Sequence, residues 1–213
     1  MERSLPDDEL LYFAGTEELT EKVQARFVPY FLHSQGTVLE IGCGKGVMLL
    51  MLKENGVDGY GIDLSDTAVK YCKEKGLKAI HSDLLTHLKK LNNDSLGGIF
   101  CAHVIEHLRP EEAVTFFKQA YRVLKKGSKL VIVTPNAKDL RTTERFWLDI
   151  THIRPYPEKL LYALIAREGF NNIQMLTDRE PARNILERVL KTCIRWWFLG
   201  YMFVGDLIAI AER

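Results

Sequence analysis

The sequence predicts an α/β fold on a mostly parallel sheet, from three observations. Apolar runs alternate with helix-period segments from Thr37 to about Phe170, a glycine-rich turn follows the first apolar run, and serine, proline and glycine punctuate the helices. The 213 residues suit one domain with a full core.

Residues 1–35 read as a helical lead-in, with Leu19, Val23, Phe27 and Phe31 at four-residue spacing. A core, residues 36–135, opens on a strand from Thr37 to Ile41, followed by a helix from about Gly46 to Asn55 that stops near Gly56. A second strand covers Gly59 to Ile62, and Ser65 caps a helix that runs to about Lys75 and ends at Gly76. A third strand is Lys78 to His81, and a fourth is Leu96 to Ala102, entered through Gly97 and Gly98. The next helix opens at Pro110 with Glu111 and Glu112 in its positive first turn, and ends before Gly127. Its Ala113, Phe116, Phe117, Ala120 and Leu124 share one face. A fifth strand, Lys129 to Thr134, stops at Pro135. Residues 136–213 form an acceptor-side segment: a strand from Asn172 to Thr177, a helical insert over about 181–203 and a last strand from Asp206 to Ala211. Two final strands joined by an insert make an antiparallel edge. The β-to-α turns then open on one edge of the sheet, where ligands bind in such folds.

Composition narrows the function classes. A net charge of +1 gives no argument for nucleic acid, and no nucleic-acid partner is expected. Cys43, Cys72, Cys101 and Cys193 lie far apart without metal-ligand spacing, so reduced, mostly buried thiols and no metal are expected. The first residues, MERSLPDDELLYF, are acidic and lack a basic n-region, and no apolar run reaches the roughly 18 residues of a membrane span. A cytoplasmic location is the expectation.

In VLEIGCGKG, Val38 to Gly46, the spacing Gly42, Cys43, Gly44, Gly46 lets the backbone turn tightly and approach a ligand. A dinucleotide fingerprint wants its third glycine at position 47, which is Val47. Glu40, just before the turn, disfavours a pyrophosphate and suits a ligand carrying an ammonium and a sulfonium. Asp63, with Leu64 in GYGIDLS, lies about 20 residues after the turn, where a carboxylate accepts ribose hydroxyls. Asp83, with Leu84 in HSDLL, is placed for an adenine amino group or for the N-cap of the next helix.

Together VLEIGCGKG, GYGIDLS, HSDLL and IFCAHVIEHL resemble the ordered motifs of class I S-adenosylmethionine-dependent methyltransferases, the group that includes ubiquinone-biosynthesis O-methyltransferases. The resemblance is strong over about residues 36–135. It implies a Rossmann-like seven-stranded sheet with an antiparallel last strand, S-adenosylmethionine as cofactor, and the backbone at Ala102 and His103 lining it.

Methyl transfer from a sulfonium is an in-line displacement that needs positioning and a dry pocket, and a hydroxyl acceptor benefits from a base. His107, in IEHL, is the first candidate, with Glu106 beside it to orient a ring; packing or capping before Pro110 is the alternative. His152, in WLDITHIRPYP, is the second. Arg154 and Tyr156 are candidates for binding the acceptor, a small molecule or a glycan.

The lead-in YFAGTEELTEKVQARFVPYF and WLDITHIRPYPEKL also resemble methyltransferases associated with O-antigen and other surface polysaccharides. Those carry an arginine where this chain has Ala14, between Phe13 and Gly15. In the insert, Arg183, Arg188, Lys191 and Arg195 precede WWFLGYMF, so Trp196 and Trp197 either meet a membrane or lipid-linked substrate, or belong to a face that packs on the sheet or covers the pocket. A non-catalytic partner-binding module on the same fold is the competing function, and a nicotinamide oxidoreductase is disfavoured by Val47.

Overall fold

The computed structural model describes residues 16–139, 146–178, 184–197 and 205–213. Phe13, Ala14, Gly15, Arg183, the side chain of Arg195 and residues 198–203 of the insert lie outside that description.

In chain order the elements are α1 (Glu17–Gln24), a 3-10 segment (Ala25–Tyr30), β1 (Val38–Ile41), α2 (Val47–Glu54), β2 (Gly59–Asp63), α3 (Asp66–Glu74), β3 (Ala79–His81), α4 (Leu84–Lys90) and β4 (Leu96–Ala102). There follow a 3-10 turn (Ile105–His107), α5 (Pro110–Val123), β5 (Leu124–Thr134), α6 (Glu158–Arg167), β6 (Asn171–Thr177), α7 (Ile185–Trp197) and β7 (Leu207–Glu212). Seven strands form one sheet in the order β3-β2-β1-β4-β5-β7-β6. β1 to β5 pair in parallel, and β7 runs antiparallel to both β5 and β6, the expected Rossmann-like arrangement.

Two-residue periodicity divides the apolar side chains between the two faces of the sheet. Leu39, Ile41, Ile99, Cys101, Leu130 and Ile132 pack with Phe116 and Phe117 of α5 and with Leu161 and Ile165 of α6. The intervening Val38, Phe100, Val131 and Val133 pack with Phe27, Phe31, and Met48 and Leu52 of α2. Both faces are therefore covered, which is why β1 is buried at every position, Glu40 included.

The caps follow the sequence: Ser65 accepts from the Ala68 amide, and α5 opens on Pro110 with Ala113, Phe116, Phe117 and Ala120 buried. Two boundaries differ. β5 starts at Leu124 rather than Lys129, because the chain passes from helix to strand at Leu124, whose amide still bonds Ala120, and it pairs with Leu96 through an irregular register. The lead-in keeps helical spacing only to Gln24. Pro29 cannot donate to an α-helical bond, and the three-residue turn of the following segment rotates the face, so Phe27 and Phe31 are buried while Leu19 is 59% exposed.

The insert departs from the packing alternative. α7 leaves Ile185, Leu186, Val189, Leu190, Trp196 and Trp197 exposed, because α6 already packs against β6 and β7 at that end of the sheet. No helix among the described residues is long and apolar enough to cross a membrane. Cys43, Cys72 and Cys101 are buried free thiols, whereas Cys193 on α7 is exposed.

Candidate functional site

The glycine turn is tied to β2 at its base. The amides of Gly42 and Cys43 donate to the Ile62 carbonyl at 2.9 and 3.1 Å, and the Gly44 amide donates to Asp63 Oδ2 at 2.8 Å. Gly42, Gly44 and Gly46 all sit at positive φ, between 48° and 71°. A side chain on Gly42 would strike Val104 Cγ2 at 2.5 Å, whereas at Gly44 it would meet no atom within 4 Å. Gly44 is thus the position where open space reaches the backbone itself.

Beneath this turn lies Glu40, 3% exposed. Its carboxylate accepts a hydrogen bond from the Leu49 amide in the first turn of α2, while Oε2 is buried without a partner. Burial, reinforced by Cys72 and Asp63, pushes its pKa well above the usual carboxylate range against the Leu49 bond. An orphaned carboxylate oxygen below an open glycine turn fits a cationic group of a ligand seated there.

Asp63 also accepts the Ser65 amide at 2.9 Å through Oδ1, so each oxygen has one amide donor and a second lone pair left for ribose hydroxyls. Leu64 beside it is 71% exposed, an apolar surface at the lip of the sheet. Asp83 caps α4, Oδ1 accepting from the Thr86 amide at 2.8 Å, and Leu84 turns its side chain into the core.

A second cluster forms after β4, at the same edge. His103 holds a left-handed backbone, φ 54°, and its amide donates to the Val133 carbonyl beside Ala102. Its imidazole lies between two carboxylates, Nδ1 3.4 Å from Glu106 Oε1 and Nε2 3.5 Å from Asp206 Oδ2. The protein around it disfavours the charge on His103, whose side chain is still half exposed, but Glu106 and Asp206 prevail and raise its pKa to about 9. Glu106 is fully buried; Oε2 accepts from Thr134 Oγ1 at 3.0 Å, and Oε1 has no hydrogen bond.

The segment after β5 is fastened to this cluster by backbone. The amides of Ile153 and Arg154 donate to the Glu106 carbonyl at 2.8 and 3.2 Å, which brings His152 against His107 with ring centroids 4.5 Å apart. His107 Nδ1 lies 2.8 Å from Thr151 Oγ1, and Thr151 Oγ1 donates to Asp149 Oδ1 at 2.6 Å. Burial holds the His107 pKa below the usual histidine value, with Glu106 opposing. His152 stacks on Phe146 and its Nδ1 meets the Phe146 carbonyl at 2.6 Å. Arg154 Nε and the Tyr156 hydroxyl are buried without partners, the guanidinium 5.6 Å from the Tyr156 ring.

The predicted residues from Glu40 to Arg154 are thus at or beside the ends of β1 to β5, in two groups, the turn with Asp63 and Asp83 and the His103–Arg154 cluster; Tyr156, expected at the acceptor, is 1% exposed and packs in the core. Sequence reasoning missed Asp149, Thr151, Thr134 and Asp206: the last three meet partners in another element, and Asp149 reaches His107 only through Thr151. The only local signal was Asp149-x-Thr151-His152, in which Thr151 turns back onto Asp149.

A family model described as a methyltransferase domain matches residues 12–175. Among curated proteins, the ubiquinone biosynthesis O-methyltransferase of Nitrosomonas europaea is 25% identical over 143 residues, covering 63% of this chain and 51% of that protein. The enzyme of the same name from Methylococcus capsulatus is 29% identical, covering 46% of this chain and 43% of that protein. The chain thus spans about half the length of the curated relatives it matches. Among solved structures, a SAM-dependent methyltransferase from Archaeoglobus fulgidus superposes with a TM-score of 0.83 at 28% identity, covering 95% of this chain and 96% of that one.

Proposed function

The chain belongs to the methyltransferase-domain family, with S-adenosylmethionine as methyl donor, and from that premise we propose that it methylates a hydroxyl oxygen of a small-molecule or glycan acceptor. The observation that carries the oxygen reading is the His107–Thr151–Asp149 relay, at the same sheet edge as the glycine turn. The O-methyltransferases among the relatives support the same reading.

Bound at the turn, S-adenosylmethionine supplies an electrophilic methyl group on a sulfonium. Glu40 Oε2 receives the ammonium, the free lone pairs of Asp63 take the ribose hydroxyls, and Leu64, Asp83 and the first turn of α4 at Leu84 flank the adenine. The backbone of Ala102 and His103 closes the other side, with Cys43, Gly42 and Gly46 shaping the floor. Thr151 spends its proton on Asp149, so it accepts from His107 Nδ1–H and leaves Nε2 with a lone pair. The acceptor hydroxyl gives its proton to that nitrogen as its oxygen forms the new bond to carbon; the carbon–sulfur pair stays on sulfur. His152 backs the His107 ring, and the buried, unpartnered Arg154 Nε and Tyr156 hydroxyl beside it are the polar groups left for the rest of the acceptor.

The apolar face of α7 supports an acceptor with a lipid portion: Trp196 and Trp197, 80% and 77% exposed, are suited to an interface between water and hydrocarbon. Incubating the protein with labelled S-adenosylmethionine and a panel of phenols, sugar alcohols and lipid-linked glycans tests the whole reading. Labelled methyl ethers and stoichiometric S-adenosylhomocysteine are expected. Transfer to amines or carbon alone would overturn the oxygen reading.

A further inference from the structure

Glu106, His107 and His152 each offer a ligand atom, and among the described residues these three atoms lie within 4.8 Å of one another. Hydrogen bonds decide which atoms are free. The Phe146 carbonyl can only accept, so His152 Nδ1 carries the ring proton and Nε2 the lone pair. Thr151 likewise leaves His107 with its proton on Nδ1 and its lone pair on Nε2. Glu106 is fully buried, Oε2 occupied by Thr134 and Oε1 without a hydrogen bond. Each side chain therefore keeps one donor atom outside its hydrogen bonds, Nε2 of His107, Nε2 of His152 and Oε1 of Glu106, with His103 Nδ1 3.4 Å from that Oε1 and Asp149 Oδ2 3.9 Å from His152 Nε2. The His152 contact matches that of metal-binding histidines, whose second nitrogen usually donates to a carboxylate, a backbone carbonyl or water, and the Thr151 hydroxyl orients His107 in the same sense.

We propose that Glu106, His107 and His152 bind a divalent transition-metal cation whose open positions take oxygen atoms of the methyl acceptor. The metal site stands on the three side chains; its role toward the acceptor rests on the methyl-transfer reading above. Two nitrogens and one oxygen suit Zn2+, Co2+, Mn2+ or Fe2+, whereas Mg2+ favours oxygen ligands throughout. Three protein ligands leave room for one or two further donors, so an acceptor with two neighbouring oxygens fits better than an isolated hydroxyl. With the cation in place His107 is a ligand and not a base. The cation lowers the pKa of the acceptor hydroxyl, its proton passes to water, and the oxygen pair forms the bond to the methyl carbon while the carbon–sulfur pair remains on sulfur. Arg154 and Tyr156 then hold the rest of the acceptor as before.

The test is titration of chelator-stripped full-length protein with Co2+, followed by visible absorption and calorimetry, with Zn2+ as competitor. One equivalent of Co2+ displaced by Zn2+ is expected, and His107→Ala and His152→Ala should each weaken it by at least the roughly 10- to 100-fold that loss of an outer-shell partner costs. S-adenosylhomocysteine binding should survive in both variants, which certifies their folding. Absence of saturable Co2+ uptake, or uptake that persists in both variants, overturns the proposal. The two readings fail separately. Methyl transfer untouched by chelator overturns the metal's role toward the acceptor and leaves His107 as base, whereas Co2+ uptake lost in both variants with their thermal unfolding unchanged, in a protein that does not bind S-adenosylhomocysteine, keeps the metal and overturns the methyl-transfer reading.

Discussion

His107 Nδ1 and Thr151 Oγ1 lie 2.8 Å apart although one belongs to the turn after β4 and the other to the segment that follows β5. The contact depends on the Glu106 carbonyl, which accepts both the Ile153 and Arg154 amides and so fixes the second segment over the first. Through Asp149 it also fixes the tautomer of His107, the property on which both a base and a ligand depend.

Removing that lock tests it directly. Thr151→Val keeps the shape but withdraws the acceptor from Nδ1, and Thr151 is exposed, so folding and cofactor affinity should not change. The expected result is a fall in kcat of roughly 10-fold. Thr151→Ser should restore it. A kcat unaltered in the valine variant would show that His107 needs no such orientation.

Asp63→Ala is expected to weaken S-adenosylhomocysteine binding by about 1.5 to 3 kcal/mol, as charge-assisted bonds to the ribose are lost. The same carboxylate ties Gly44 and Ser65 to the end of β2, so the melting temperature of the free protein should fall as well. Calorimetry and thermal unfolding on the same sample separate the two effects, and an unchanged dissociation constant would remove Asp63 from the cofactor site.

Two glycines of the turn should respond oppositely to alanine. At Gly44 a side chain meets no protein atom, so Gly44→Ala costs about 1 to 2 kcal/mol of left-handed strain in folding but obstructs the ligand. At Gly46 it would lie 2.7 Å from Leu77 Cδ1 and 2.8 Å from Cys72 Sγ, so Gly46→Ala should mainly destabilise the fold. The measurement is the ratio of lost affinity to lost stability, expected to be larger for Gly44→Ala.

The elements were legible in the sequence wherever local chemistry sets them. Ser65, Pro110 and the alternation of Leu39 with Val38 act through neighbours in the chain, and the sheet follows from them. The cofactor half of the site was legible for the same reason, since Glu40 to Gly46 is one continuous segment. The acceptor half was not. His107 and His152 could be named but not joined, because their meeting depends on backbone bonds from Ile153 and Arg154 to Glu106 that no spacing rule encodes. Asp206 faces His103 only because β7 runs antiparallel beside β5. The exposed face of α7 was misjudged in its packing alternative because an amphipathic period does not say whether a partner face is free, and α6 occupies that end of the sheet.

Glu40 gives the protein a pH dependence whose sign can be worked out. Its pKa is raised in the folded chain, so the free protein is relatively stabilised while Glu40 stays protonated, and that stability is lost as pH rises from the unfolded carboxylate pKa through the folded one. A ligand ammonium favours the ionised carboxylate, so binding expels a proton wherever Glu40 still holds one. S-adenosylhomocysteine, which keeps the ammonium, should therefore bind more tightly as pH rises through that window, and the thermal stabilisation it confers should grow in step. Calorimetry in two buffers of different ionisation enthalpy measures the released proton. In Glu40→Gln the release and this rise in affinity should both disappear; a wild-type protein that binds with no proton released across the window would place the ammonium elsewhere than Glu40.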